Sequence, residues 1–111
     1  MKIQGNIGSF RVTKLLIAAH AAGLEHELVS MEFGDAAKKE NLKKQPFGKF
    51  PTAEVNGQVI YESNAILRYI ANTKPEAGLY GSTPIEHALV DQYLDVCANE
   101  LEPLFPALMY P

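Results

Sequence analysis

The 111 residues predict an α/β chain in the order β-α-β-α-β-β-α, followed by one further helix. Three features of the chain predict it. Apolar residues recur at helical spacing after Phe10 and again after Ser63, and short alternating runs stand between and around these stretches. Two alternating runs also flank Asn56-Gly57, the strongest short-range hairpin signal a sequence offers.

Lys2-Ile3-Gln4-Gly5 alternates and meets a glycine-marked turn, Gly5-Asn6-Ile7-Gly8, which predicts a first strand. Phe10, Leu15, Ala18, Ala19 and Ala22 then share one side of a helix, and Leu16 widens the stripe. Ser9 stands before it as an N-cap and Gly23 after it as a C-cap. His26 to Met31 alternates again, predicting a second strand. Ala36 to Lys44 is polar with Ala37 and Leu42 as apolar anchors, predicting a short surface helix. Gln45-Pro46-Phe47-Gly48-Lys49-Phe50-Pro51 reads as a loop from its two prolines and its glycine. Thr52–Val55 and Gln58–Tyr61 are the hairpin strands. Ser63 opens a helix with Ala65, Ile66, Tyr69 and Ile70 on its apolar face, finished near Thr73.

Residues 1–75 thus read as one α/β domain, 76–83 as a linker carrying Gly78 and Gly81, and 84–111 as the beginning of a helical domain. Thr83-Pro84-Ile85-Glu86 combines a Thr N-cap, proline at the first helical position and glutamate at the third, which is a capping box. Ile85, Leu89, Tyr93, Val96, Cys97 and Leu101 follow at helical spacing, and Pro103 is expected to end or kink that helix near Glu102. Leu104, Phe105, Leu108, Met109 and Tyr110 stay apolar. A lone amphipathic helix has too little to pack against, so more chain or a partner is expected to cover this stripe.

Composition excludes several classes. Hydrophobic residues make up 47% and charged residues 21%, a globular balance rather than a disordered one. Ten Lys and Arg stand against 13 Asp and Glu, a net charge of −3, which lacks the basic footprint of a nucleic-acid binder. No apolar run approaches the ~20 residues that span a bilayer, and Met1-Lys2-Ile3-Gln4 does not begin a signal peptide. One cysteine, Cys97, makes neither an internal disulfide nor a CxxC pair, and its place on an apolar stripe predicts a small core residue. His20, His26 and His87 lack metal-ligand spacing, so no metal is expected. A reduced, cytoplasmic protein follows as the expectation.

This order, with a proline entering the hairpin, resembles the thioredoxin-like domain of cytosolic glutathione transferases joined to the first helix of their all-α second domain. The resemblance rests on Pro46-Phe47-Gly48-Lys49-Phe50-Pro51, on Glu62-Ser63-Asn64-Ala65-Ile66-Leu67-Arg68-Tyr69-Ile70, and on Ser9-Phe10-Arg11 with the helix after it. Within the superfamily, Lys14-Leu15-Leu16-Ile17-Ala18-Ala19 and Leu79-Tyr80-Gly81-Ser82-Thr83-Pro84, with Leu108-Met109-Tyr110-Pro111, resemble the transferase-like domain of the gamma subunit of eukaryotic elongation factor 1. That likeness implies a scaffold for a guanine-nucleotide exchange complex, with a retained glutathione pocket. Its implied partners are glutathione and either a second copy or exchange-factor subunits, with neither nucleic acid nor membrane bound directly. The alternative is a self-sufficient transferase conjugating glutathione to small electrophiles. A thiol-disulfide reductase is disfavoured because no cysteine lies near the first helix.

The resemblance also implies a glutathione site. Glu62 and Ser63 lie where the hairpin hands over to a helix, whose N-terminal N–H groups favour a carboxylate. Ser63 adds a hydroxyl and Glu62 an acceptor for the ligand's amine, so together they read the gamma-glutamyl end. The alternative is that Ser63 merely caps its helix. Pro51 is cis in the family, which turns Phe50 N–H and C=O toward the cysteinyl backbone of glutathione. Composition alone predicts trans, since only about 5–6% of X-Pro bonds are cis. Lys49 stands where its ammonium reaches the glycine carboxylate, or is an ordinary loop lysine. A transferase also needs a hydroxyl to lower the thiol pKa. The stretch Gln4 to Arg11 contains no tyrosine, which leaves Ser9, closer to Arg11 than the family's serine, and Asn6 as a second donor. Ser9 is equally read as a plain N-cap. Lys38, Lys39, Lys43 and Lys44 are a solvated helix face or a steering patch for an anion. Arg68 forms a structural ion pair or faces a second subunit.

Overall fold

The computed structural model describes residues 1–31, 42, 43 and 46–109. The expected helix at Ala36 to Lys44 lies outside them almost entirely, as do Lys38, Lys39 and Lys44 of the lysine run. The chain divides into two compact units, the first ending at Leu79 and the second beginning at Tyr80.

The first unit holds β1 (Lys2–Gly5), α1 (Phe10–Ala22), β2 (Glu27–Ser30), β3 (Thr52–Val55), β4 (Gln58–Tyr61) and α2 (Ser63–Thr73). The four strands form one mixed sheet in the order β2-β1-β3-β4, the thioredoxin-like arrangement. β1 runs parallel to β2, as a β-α-β crossover through α1 requires, and antiparallel to β3. Asn56 at φ 50° and Gly57 at φ 81° form the turn between β3 and β4. Both central residues lie in the left-handed region, the turn whose twist matches the flanking strands.

The core is Ile3 and Ala53 from the sheet, Leu15 and Ala19 from α1, and Ile66 and Ile70 from α2. Ile3, Leu15, Ile66 and Ile70 are wholly buried, each worth roughly 1.5–3 kcal/mol over exposure. Val12 is wholly buried too, while Phe10 is only half-buried, so the buried stripe of α1 is rotated from the one its periodicity predicts. The Arg11 guanidinium lies 4.7 Å from the Phe10 ring centre and covers it at the surface. Gln4, expected on the solvent side of an alternating strand, is buried instead. Its Oε1 accepts a 3.1 Å hydrogen bond from the Thr52 hydroxyl, which satisfies a polar atom the sheet encloses. Gly23 ends α1 at φ 70°, with its N–H on the His20 carbonyl.

The second unit is helical. α3 (Pro84–Val96) starts at Thr83 with both halves of the capping box formed. Pro103 does not end the helical path. The backbone widens into a π-helical turn over Cys97–Leu101, tightens over Glu102–Leu104 and resumes as α-helix over Phe105–Met109. A proline removes one helical donor and its ring crowds the carbonyl four residues earlier, and a widened turn ahead of it relieves that crowding. No residue of α3 is buried; Ile85 and Tyr93 are each 67% exposed. Cys97 is exposed as well, which corrects the expectation of a core thiol: a single helical run offers it no second layer to enter. Among the described residues, no helix is long and apolar enough to cross a membrane.

Candidate functional site

Strand register brings the candidate residues to one end of the sheet. Gln4 pairs with Thr52, and Thr52 pairs with Tyr61. One step beyond, Gly5, Pro51 and Glu62 therefore stand abreast, where three strand ends meet. Gly5 must be glycine for this. A Cβ there would lie 2.5 Å from Val12 Cγ2 and 3.7 Å from Pro51 Cα, so only a bare Cα lets β1 pass between α1 and the proline.

The Phe50–Pro51 peptide is cis. Pro51 is buried, Phe50 half-buried and Lys49 exposed. The Phe47 ring meets the Tyr61 ring edge-on, with centres 6.1 Å apart and planes at 64°, which ties this loop to the end of β4.

Glu62 occupies the N-cap of α2 with φ 76° and ψ 112°, a left-handed φ that few residues other than glycine adopt. Such a conformation costs on the order of 1–3 kcal/mol and persists only where its surroundings impose it. No side chain caps this helix. Its first backbone bond is Ile66 N–H to the Glu62 carbonyl at 3.1 Å, so the N–H groups of Ser63, Asn64 and Ala65 precede the intrahelical ladder. Ser63 is consequently the first helical residue and not the cap, and the capping alternative for its hydroxyl does not hold. The Lys14 ammonium donates to Asn64 Oδ1 at 2.9 Å, joining α1 to this first turn.

Beyond Gly5 the chain turns tightly into α1. Asn6 Oδ1 accepts from Gly8 N–H at 2.7 Å, and the Asn6 carbonyl accepts from Ser9 N–H at 2.9 Å. Ser9 takes the N-cap position at φ −79°, ψ 130°, but its hydroxyl makes no capping bond; only its carbonyl joins the helix, accepting from Thr13 N–H and Thr13 Oγ1. The side-chain half of the expected cap is therefore missing. Asn6 Oδ1 is engaged in the turn, leaving its NH2 as the donor end.

Lys49, Phe50, Pro51, Glu62 and Ser63 thus come from two segments that meet at one sheet end, with Ser9 one turn of chain beyond Gly5. Lys14 and Asn64 escaped the sequence reading. They are 50 residues apart, and neither spacing nor periodicity links them. The arrangement offers unpaired helix N–H donors and a hydroxyl for a carboxylate, a carboxylate for an amine, and an ammonium in the loop.

Residues 1–72 match the family described as glutathione S-transferase, N-terminal domain. Over 109 residues the chain is 39% identical to an elongation factor 1-gamma of Oryza sativa subsp. japonica, covering 96% of this chain and 25% of that protein. It is 38% identical to glutathione S-transferase 4 of Zea mays, covering 93% of this chain and 47% of the enzyme. The theta class glutathione S-transferase of Xanthomonas axonopodis pv. citri, solved with glutathione bound, superposes with a TM-score of 0.83 at 32% identity, over 94% of this chain and 51% of that one. The chain therefore spans about a quarter of the elongation factor's length and half of each transferase's. With a thioredoxin-like sheet and that family match over its first 72 residues, the chain belongs to the glutathione S-transferase N-terminal domain family.

Proposed function

We propose that the first unit binds glutathione and that the chain serves as the transferase-like domain of an elongation factor 1 gamma subunit, working in the cytoplasm. The observation that carries the binding reading is the juxtaposition of the cis Phe50–Pro51 peptide with the open first turn of α2. The gamma-glutamyl carboxylate would take the N–H and hydroxyl of Ser63, and its ammonium the carboxylate of Glu62. Phe50 N–H and C=O would pair with the cysteinyl backbone as a one-residue strand. Lys49 would hold the glycine carboxylate. Likeness to the rice subunit over nearly the whole chain supports the scaffolding role, with exchange-factor subunits or a second copy as partners.

Calorimetric titration tests the site. Saturable binding of glutathione is expected, weakened about tenfold or more in Ser63→Ala, because a hydrogen bond to a charged group is worth roughly 1.5–3 kcal/mol. The Tm should not move, since Ser63 does not cap its helix. An absence of saturable binding by the wild type overturns the site, and failure of exchange-factor subunits to co-purify overturns the scaffold.

One observation favours a second reading, a transferase active on small electrophiles. The Ser9 hydroxyl makes no capping bond at the N-terminus of α1, where a hydroxyl donor and the helix dipole would together lower a thiol pKa, each unit being worth ~1.4 kcal/mol. Turnover of a chlorinated aromatic substrate that is lost in Ser9→Ala supports that reading.

A further inference from the structure

The Lys14–Asn64 contact has the wrong sign for stability alone. α2 begins at Ser63, so Asn64 lies in its first turn, where the helix carries partial positive charge. Lys14 reaches this turn from α1 and donates to Asn64 Oδ1 at 2.9 Å in a half-buried setting. A cation is unfavourable at a helix N-terminus, and a neutral donor would form the same hydrogen bond without the repulsion. With an anion at that N-terminus the sign reverses, and the ammonium and the helix act together on it.

We propose that Lys14 is a positioning and specificity-determining residue for the gamma-glutamyl carboxylate, adding charge beside the first turn of α2 and orienting that turn through Asn64. The inference rests on the glutathione site proposed above. It differs from that site in its location, because Lys14 lies on α1 and is outside the two segments that form it.

The test compares glutathione with a glutathione whose gamma-glutamyl α-carboxylate is amidated, using the 111-residue chain. The wild type should prefer the free carboxylate. Lys14→Gln keeps a donor for Asn64 and removes the charge; it should narrow that preference roughly three- to tenfold while affinity for the amidated probe holds. Lys14→Arg should restore the preference. Thermal melting should show Lys14→Gln folded, with its Tm unchanged or raised. If that variant does not fold, Asn64→Ala replaces it and should narrow the preference in the same direction. A wild-type preference retained in the variant overturns the inference alone, as does equal weakening for both probes, the mark of a purely structural lysine. A wild type that binds neither probe overturns the site and the inference together.

Discussion

α2 and α3 begin in opposite ways. At α3 every available group is closed by the protein itself. Thr83 Oγ1 accepts from Glu86 N–H at 3.3 Å, and Glu86 Oε1 accepts from Ser82 N–H, Thr83 N–H and both hydroxyls at 3.0–3.2 Å. Pro84 in the first turn has no N–H to satisfy. At α2 the cap residue is strained, no side chain caps, and a lysine adds positive charge. The first helix carries its own carboxylate; the second is built to receive one. A helix N-terminus by itself predicts neither, and what distinguishes the two is where the nearest carboxylate points.

Substitutions can break that contrast from either side. The largest effect is expected at Glu62, where Glu62→Gly should be more stable than Glu62→Ala by about 1–2 kcal/mol, because only glycine takes φ 76° without strain. Denaturant midpoints measure this, and equal midpoints would mean that the backbone there is relaxed. Both variants should lose the affinity that the Glu62 carboxylate gives to the ligand's amine. Opening the closed end has a smaller consequence. Thr83→Ala should cost about 1 kcal/mol of helix stability, read as faster amide exchange in the first turn of α3, with glutathione affinity unchanged. The smallest effect is that of pH. The Ser82 backbone N–H and then the Thr83 hydroxyl hold the Glu86 carboxyl below its ordinary 4.5. A carboxylate depressed in the folded state stabilises it above the unfolded value, and that contribution disappears as pH falls through the folded one. The first turn of α3 should therefore loosen in acid below about 4.5, and in Glu86→Gln this pH dependence should vanish.

Much of this was legible in local chemistry. Asn56-Gly57, Gly23 and the Thr83–Glu86 box each act within a few residues, and each forms as its residue types dictate. Ser63 and Pro51 were legible only through resemblance, since composition alone favours a trans bond and a capping serine. Other features depend on contacts distant in sequence. Gln4 is buried because Thr52 reaches it across the sheet, and Lys14 meets Asn64 across 50 residues. Cys97 and the stripe around it read as core because periodicity reports an apolar face without saying whether anything covers it.

The hairpin between Thr52 and Tyr61 is also a ruler. Four rungs separate its tip from the two residues, Pro51 and Glu62, that must face each other at the far end. A strand rises about 3.4 Å per residue and turns its side chains over at each step. A single residue inserted at Asn56-Gly57 that slipped the register would slide one jaw of the cleft past the other and invert its facing groups. The gauge of the binding cleft is thus set at the tip, on the order of 13 Å away, by two residues that touch nothing in it.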